Sequence, residues 1–363
     1  MFFKRLFAAI SFVLVCFGAQ AQVNGAQFAF NYLLLPNSAH ITALGGMSVA
    51  NPTNDISLAM QNPALMRPSL HNELSLNYNN FYSGISNTNL AYGYYMPKLK
   101  TAFAFGIQAL NYGSFTQTDN VGNQIGSFKA NDYALSFSAA QQYKERWRYG
   151  ATLKWAQSQL AEYSATALLL DVGVCYEDTT NFFTFGLVAK NMGFMLQQYT
   201  SGRNGKEPMP FDVQLGISKR LKHLPLRLFT TVHHLYEWDV RYNNPADKSS
   251  TNVFGSADTT VSKSFTDNLF RHFIFGAELT IAKRLGVSLA YNHMRRKEMA
   301  LEDKKGSAGY SFGASFYLNK FQVHYARSFY SIAGPYNEIG LNISINKFVG
   351  GGSTWKAEYP SWE

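Results

Sequence analysis

Most of this chain alternates between apolar and polar residues with a period of two, starting near residue 72 and continuing almost to the C-terminus. The clearest case is the segment 337–348. One of its faces is aliphatic and the other is polar or small: Ile339, Leu341, Ile343 and Ile345, against Gly340, Asn342, Ser344 and Asn346. This pattern predicts a β-strand with one apolar face, and the strand is long enough to cross a bilayer when tilted.

Segments of this kind recur about fourteen times, and an even number of strands is typical of bacterial outer-membrane barrels. We predict strands at 72–82, 87–96, 101–111, 131–143, 146–158, 163–177, 181–192, 211–220, 226–238, 269–283, 285–297, 308–318, 320–331 and 336–348. Short connections follow the even-numbered strands, whereas long connections follow several odd-numbered ones, at 112–130, 193–210, 239–268 and 298–307. Because short turns usually face the periplasm, both termini are predicted to be periplasmic.

The composition favours a membrane barrel over a soluble β-protein. Hydrophobic residues make up 46% of the chain, yet the mean hydropathy is only −0.17, so apolar and polar residues are finely mixed. A soluble β-sandwich is the alternative, but too many strands carry an apolar face for one sandwich to bury. The net charge of +9 suits anionic lipid head groups, and nothing arranges it as a nucleic-acid site. The predicted fold class is therefore all-β, a transmembrane antiparallel β-barrel of about 14 strands.

The N-terminal part of the chain differs from the rest. Residues 1–21 have the basic start, short apolar run and small-residue cleavage site of a signal peptide. Residues 22–70 contain four prolines and little alternation, and the run Leu33–Leu35 is too apolar to stay in water. We therefore predict a plug segment at 22–70 that folds into a barrel spanning 71–348, followed by a periplasmic tail at 349–363. The alternative for 22–70 is a periplasmic tail.

The plug segment carries three short motifs, namely Leu44-Gly45-Gly46, then Asp55, then Asn62-Pro63-Ala64. Together with about fourteen strands, they resemble the FadL-type family of outer-membrane barrels. The finer pattern at 28–35, 43–46, 60–65, 74–78, 111–115 and 126–134 is similar to the PorQ-like branch of that family, from the type IX secretion system of Bacteroidetes.

The resemblance implies an integral outer-membrane protein without an enzymatic reaction or cofactor. It implies a PorZ-like surface protein and other type IX secretion components as partners, in an assembly that releases cargo and attaches it to lipopolysaccharide. It also assigns the plug motif to these residues: Gly45, Gly46, Asp55, Asn62, Pro63 and Ala64. The alternative, based on the plugged barrel alone, is a FadL-like transporter of hydrophobic small molecules.

Charged residues inside predicted strands are further candidates. Asp171, Lys190 and Glu278 follow the polar phase of their strands, so we expect them to face the lumen and to pair with each other or with the plug. A transport site is the alternative. The basic residues that flank an outer loop are candidate contacts for lipopolysaccharide phosphates: Arg295, Arg296, Lys297, Lys304 and Lys305. A solvated charge cluster explains them equally well.

The eight histidines give no support for catalysis or metal binding. None lies in a Gly-x-Ser-x-Gly or His-Glu-x-x-His pattern. His233 and His234 are predicted to point to opposite faces of one strand, where they could not share a metal. We therefore predict no enzyme, no metal and no cofactor.

Overall fold

The computed structural model describes residues 28–199, 207–241, 265–299, 306–331 and 334–349. Fourteen antiparallel strands within these ranges form a closed barrel, in which β1 pairs with β14. The strands are β1 (Glu73–Asn80), β2 (Ser86–Met96), β3 (Thr101–Thr118), β4 (Gln124–Tyr143), β5 (Trp147–Leu160), β6 (Tyr163–Asp178), β7 (Phe183–Gln197), β8 (Asp212–Arg220), β9 (Leu226–Val232), β10 (Phe273–Ile281), β11 (Leu285–Asn292), β12 (Tyr310–Tyr317), β13 (Phe321–Ser331) and β14 (Gly334–Ser344). The predicted fold class is confirmed.

The period-two pattern places small and polar side chains inside the barrel and apolar side chains outside. In β11, for example, Val287 and Leu289 are exposed on the outer surface, while Ser288 and Ala290 are buried. Exposed aromatic residues lie near both ends of the wall: Tyr78, Tyr133, Phe275 and Tyr310 at one end, and Tyr143, Trp147, Phe316 and Phe321 at the other. A bilayer stabilises a barrel of this kind, which has a closed hydrogen-bond ladder and an apolar outer band between two aromatic girdles.

The two ends of the barrel differ. We call the end where β1 begins and β14 ends the short-turn end. The opposite end carries the longer connections 198–211, 233–272 and 293–309, and we call it the long-loop end. The C-terminal strand ends at Ser344, earlier than predicted, and a helical turn, Asn346–Val349, follows it at the short-turn end.

The wall is higher on one side. β3 and β4 have 18 and 20 residues, whereas β8 to β12 have only seven to nine. The predicted long loop at 112–130 is wrong, because both strands continue through it as a ribbon with a turn at 119–123. Phe115 and Phe128 stack across this ribbon with ring centroids 5.3 Å apart, and this cross-strand pair supports the extension.

Two predicted strand boundaries near residue 250 are also wrong. β9 ends at Val232 rather than at 238, because His234 adopts a left-handed backbone conformation with φ of 55°. β10 begins at Phe273, since the residues before it, Phe265–Arg271, form a helix. Most of the intervening segment, 242–264, lies outside the described residues.

Residues 28–70 lie inside the barrel and form the plug. Its helices are α1 (Ala39–Ala43) and α2 (Ile56–Ala59), and 3₁₀ turns form at Asn31–Leu34, Pro63–Leu65 and Pro68–Leu70. Each α-helix begins where the side chain of its N-cap, Ser38 or Asp55, accepts a bond from a backbone N–H of the first turn. Two later helices, α3 (Phe265–Arg271) and α4 (His293–Glu298), lie at the long-loop end, and α5 is Asn346–Val349. In the part of the chain that is described, no helix has both the length and the apolar character needed to cross a membrane.

The plug enters at one end of the barrel and leaves at the other. The N–H of Ala29 donates to Pro208 O in the β7–β8 connection, at the long-loop end. Asn72, which joins the plug to β1, lies at the short-turn end and accepts from Ile345 N. The predicted signal peptide and the tail residues 350–363 lie outside the described residues. The two termini, which were predicted to be periplasmic, lie outside them as well.

Candidate functional site

The plug is joined to the wall by a buried ionic network in the short-turn half of the lumen. Nδ1 of His40 in α1 lies 3.0 Å from Oδ2 of Asp55, and its Nε2 lies 3.2 Å from Oε1 of Glu278 in β10. Nη1 of Arg227 in β9 lies 3.3 Å from the second oxygen of Glu278, and it also donates to Asn51 across 2.6 Å. Two carboxylates are thus matched by an imidazole and a guanidinium, so that the charges compensate within the buried site.

The protonation of the plug residues follows from these contacts. Burial alone would lower the pKa of His40, but Glu278 and Asp55 outweigh it and raise this pKa from 6.5 to about 9. Burial alone would likewise raise the pKa of Asp55, but the bond from His40, the charges of the neighbouring histidines and the bonds from Ser57 hold it well below its usual range. At neutral pH, His40 is therefore an imidazolium that donates through both ring nitrogens.

His324 in β13 completes this cluster. Its ring stacks on that of His40 with centroids 4.8 Å apart, and its Nε2 lies 4.0 Å from Oδ2 of Asp55. Potential ligand atoms of His40, Asp55 and His324 lie within 4.8 Å of one another, which is close enough to consider a metal ion. Because both nitrogens of His40 already bond to carboxylates, a metal would have to displace a proton, and the arrangement works as an ion-pair network without one.

A cavity of about 280 Å³ lies beside the network, toward the short-turn end. His40, Asp55 and Glu278 line its inner side, and Arg67 and Lys283 also contribute to its walls. Most of the residues that line it are polar or charged.

The motif Asn62-Pro63-Ala64 fastens the middle of the plug. Nδ2 of Asn62 donates to Val49 O across 2.9 Å, and its Oδ1 accepts from Ala64 N across 3.0 Å. The side chain lies directly against Gly173 of the wall, where a Cβ would overlap its Oδ1, and a Cβ on the neighbouring Gly186 would overlap Val49 O. Inward glycines at other places on the wall also allow plug atoms to approach closely: Gly93, Gly106, Gly150, Gly216 and Gly313.

Gly45 and Gly46 end helix α1 at the long-loop end. Both have positive φ, 89° and 96°, and Gly46 N donates to Ile41 O across 2.9 Å to close the helix. A Cβ on Gly46 would collide with the guanidinium of Arg295. The two glycines therefore let the chain reverse in a space that the wall restricts.

The three predicted lumen charges are all buried, and each has a partner. Glu278 contacts the plug through His40, and Nζ of Lys190 donates to Oε1 of Gln61 in the plug across 2.8 Å. Asp171 pairs within the wall, where its Oδ2 lies 2.6 Å from Nζ of Lys154 in β5.

Two further inward charges were not predicted from the sequence. Lys154, the partner of Asp171, is one, and Arg148, which pairs with Glu177 and donates to Ala64 O of the plug across 3.2 Å, is the other. Both residues follow the polar phase of β5, as Asp171 does in β6, so the same rule would have identified them.

The predicted lipopolysaccharide contacts have different environments. Arg295 is buried in α4, with its guanidinium 4.4 Å from the Tyr330 ring centroid, so it does not lie on the surface. Arg296 donates to Gly306 O across 2.5 Å, and Nζ of Lys297 lies 2.9 Å from Oδ1 of Asp267 in α3. Lys304 and Lys305 lie outside the described residues.

The prediction for His233 and His234 is wrong. Their Nδ1 atoms are 2.6 Å apart and their ring centroids 4.8 Å apart, so the two rings do not face opposite sides. The physical reason is that β9 has already ended, and alternation no longer holds beyond Val232.

Comparison with protein-family models gave no match, and comparison with curated proteins gave none either. Among solved structures, the barrel is similar to a mutant of the TodX monoaromatic hydrocarbon channel, with 14% identity and a TM-score of 0.48 over 85% of this chain and 97% of that one. It is similar to the CymD monoaromatic hydrocarbon channel, with 14% identity and a TM-score of 0.49 over 87% of this chain and 97% of that one. A Pseudomonas aeruginosa FadL homologue has 10% identity and a TM-score of 0.41 over 80% of this chain and 94% of its own.

Proposed function

We propose that this chain is an outer-membrane component of a type IX protein secretion system, and that it anchors a PorZ-like surface protein during cargo release and attachment to lipopolysaccharide. The observation that carries the proposal is the occupied lumen, because the plug contacts the wall along its whole length. The partner comes from the resemblance of the plug and strand motifs to PorQ-like proteins. The short turns then face the periplasm and the long loops face outward.

The plug contacts favour a closed anchor over an open pore. His40 and Gln61 of the plug bond to Glu278 and Lys190, two wall residues that are buried with them in the lumen. Removing one partner of a buried ionic pair costs about 3–5 kcal/mol, so displacing the whole plug would break several expensive contacts at once. Such a barrel is suited to hold a partner at the membrane rather than to pass polar solutes.

The high side of the wall offers a platform for that partner. The ribbon formed by 112–118 and 124–129 extends beyond the other strands, and its Phe115, Val121 and Ile125 side chains are exposed. A two-stranded ribbon is only marginally stable by itself in water, so a partner that covers it would gain apolar contact and order it.

Affinity purification of the gently solubilised barrel tests the proposal. We expect a PorZ-like protein to co-purify with the natural chain and to be reduced at least tenfold with F115S/F128S, while the barrel still folds. The matched control is T116S/Q117N in the same ribbon, which should retain the partner. Recovery of the intact barrel without any secretion component would contradict the proposal.

A FadL-like transporter of hydrophobic small molecules is the second candidate, favoured by one observation. An apolar cluster at the long-loop end contains Phe30, Leu33 and Met209, with Met195 of β7 packed against it. The β7–β8 ladder runs only from Phe183↔Lys219 to Lys190↔Asp212, although β7 continues to Gln197. The cluster therefore lies beside a part of the wall where β7 and β8 are not paired.

Uptake of fatty acids and monoaromatic compounds by a deletion strain distinguishes the anchor from the transporter. Normal uptake with failed cargo secretion supports the anchor, and lost uptake with normal secretion supports the transporter.

A further inference from the structure

Three inward side chains form a row across neighbouring strands at the closing seam of the barrel. Asn79 in β1 is directly opposite Asn87 in β2 on one side and Glu338 in β14 on the other. All three have a relative exposure of 0%. Directly opposite residues in an antiparallel sheet have Cβ atoms about 4.5–5.5 Å apart, so the three polar groups are neighbours on the concave face.

Each residue of this row holds one oxygen that has no hydrogen-bond donor. The atoms are Oδ1 of Asn87, Oδ1 of Asn79 and Oε1 of Glu338. A buried polar atom without a partner costs about 1–3 kcal/mol, and more when the group is charged. Three such oxygens on adjacent residues of one row point to an incomplete ligand set rather than to an isolated packing fault.

The orientation of both amides is fixed by their other contacts. Nδ2 of Asn87 donates to Pro36 O of the plug across 3.3 Å, and Nδ2 of Asn79 lies 3.4 Å from Oε2 of Glu338. Rotating either amide by 180° would set its oxygen against another oxygen. The amide oxygens are therefore the atoms that remain available in the row.

Glu338 also lacks a cation. Thr42 of helix α1 donates to its Oε2 across 2.5 Å, but no basic side chain among the described residues forms an ion pair with it. This sets it apart from Glu278, which pairs with His40 and Arg227, and from Asp171, which pairs with Lys154. A buried carboxylate without a partner is strongly unfavourable unless a cation or a proton neutralises it.

We propose that this row, which we call the seam site, binds a monovalent hard cation, Na⁺, between the plug and the wall. Carboxylate and amide oxygens are the ligands that hard cations prefer, and nitrogen or sulfur ligands, which transition metals favour, are not part of the row. One carboxylate with two neutral amides balances a single positive charge. A divalent ion would leave one charge uncompensated in a buried place.

The seam site would stabilise the plug as well as the seam. Two of its residues bond to the plug, Asn87 to Pro36 O and Glu338 to Thr42, while Asn79 and Glu338 belong to β1 and β14, the two strands that close the barrel. Binding to the folded state alone shifts the folding equilibrium by the factor 1 + [Na⁺]/Kd. At a sodium concentration about nine times Kd, the ratio of folded to unfolded barrel should therefore rise about tenfold.

The test measures thermal unfolding of the full-length barrel in detergent, in sodium chloride against choline chloride at equal ionic strength. The same measurement in potassium chloride and in a calcium chloride series tests whether the stabilisation is selective for sodium. We expect a saturable stabilisation by sodium for the natural chain, its loss in E338Q, and a weaker response in N87A, which keeps the carboxylate. The matched control is E73Q, since Glu73 is another buried inward glutamate of the same seam but is not part of the row.

Each outcome decides the question. Sodium stabilisation that E338Q abolishes and E73Q retains supports the seam site. Equal stability of the natural chain in sodium and choline overturns it, because a protonated carboxyl or water then satisfies the row. A response to calcium but not to sodium overturns the monovalent assignment. If E338Q does not fold, N87A decides the question. A weaker stabilisation of N87A than of the natural chain by sodium supports the seam site, and an equal stabilisation overturns it.

Discussion

The imidazole of His40 donates to the carboxylate of Asp55 across 3.0 Å, and this bond joins the two helices of the plug. The opposite nitrogen of the same ring bonds to Glu278 in the barrel wall. One side chain therefore fixes both the internal fold of the plug and its position in the lumen. The consequences can be tested by substitution and by pH.

Replacing His40 should destabilise the plugged barrel. His40→Gln keeps a polar side chain but leaves Asp55 and Glu278 without the imidazolium between them, and a loss of about 3–5 kcal/mol in the free energy of unfolding is expected. Denaturant unfolding in detergent micelles measures this loss. The control is His223→Gln at an exposed turn, which should change stability by less than about 0.5 kcal/mol. Equal effects of the two substitutions would contradict the assigned role of His40.

The same residue predicts a pH dependence. Folding raises the pKa of His40 from 6.5 to about 9, so the protonated ring stabilises the folded state. This contribution, about 3 kcal/mol, is complete below pH 6.5, declines as the pH rises, and is lost above about pH 9. Unfolding free energies measured between pH 6 and pH 10 should show the decline. In His40→Gln this part of the pH dependence should disappear, and its persistence would assign it to another group.

A Cβ on Gly173 should push the plug away from the wall. Gly173→Ala sets a methyl group against Oδ1 of Asn62, which also bonds to Ala64 N. We expect the barrel to fold with a loosened plug, seen as an increase in single-channel conductance in planar bilayers and in protease cleavage within 28–70. Gly126→Ala in the exposed ribbon is the control, because among the described residues its Cβ would contact only Oε1 of Gln117, at 3.7 Å. Unchanged conductance and cleavage in Gly173→Ala would show that this contact does not hold the plug.

The outer surface should tolerate no charge at the middle of the wall. Leu289 in β11 is 47% exposed on the outer face, so Leu289→Arg would place a guanidinium in lipid and cost about 2–4 kcal/mol. Unfolding from lipid bilayers measures this cost. Val121→Arg is the control, since Val121 lies in the turn of the ribbon and is 86% exposed. If both substitutions were neutral, the apolar band would not lie in the bilayer.

Alternation predicted the strands well because a barrel strand has one face in lipid and one in the lumen along its whole length. Strand ends were predicted less well, since they depend on local backbone conformation and on pairing. At His234 a left-handed residue interrupts the extended backbone, although the apolar residues Leu235 and Trp238 follow it. At 112–118 the strand continues beyond the shorter strands of the wall, and its residues no longer alternate between apolar and polar.

The candidate site was predictable only in part. The polar phase indicated that Asp171, Lys190 and Glu278 face inward, because a charge facing lipid would be costly. The contacts between the plug and the wall were not predictable, since they join residues far apart in the chain: 238 positions separate His40 from Glu278, and 296 separate Thr42 from Glu338. Such contacts depend on how the plug folds inside the barrel, and that is a property of the three-dimensional structure.

The most direct test of the proposed role is the secretion phenotype of a deletion strain, measured beside the proteins that co-purify with the barrel. We predict that cargo accumulates in the periplasm, that surface attachment to lipopolysaccharide fails, and that a PorZ-like protein co-purifies with the complementing chain. Normal cargo secretion in the deletion strain, with no secretion component bound to the barrel, would contradict the account.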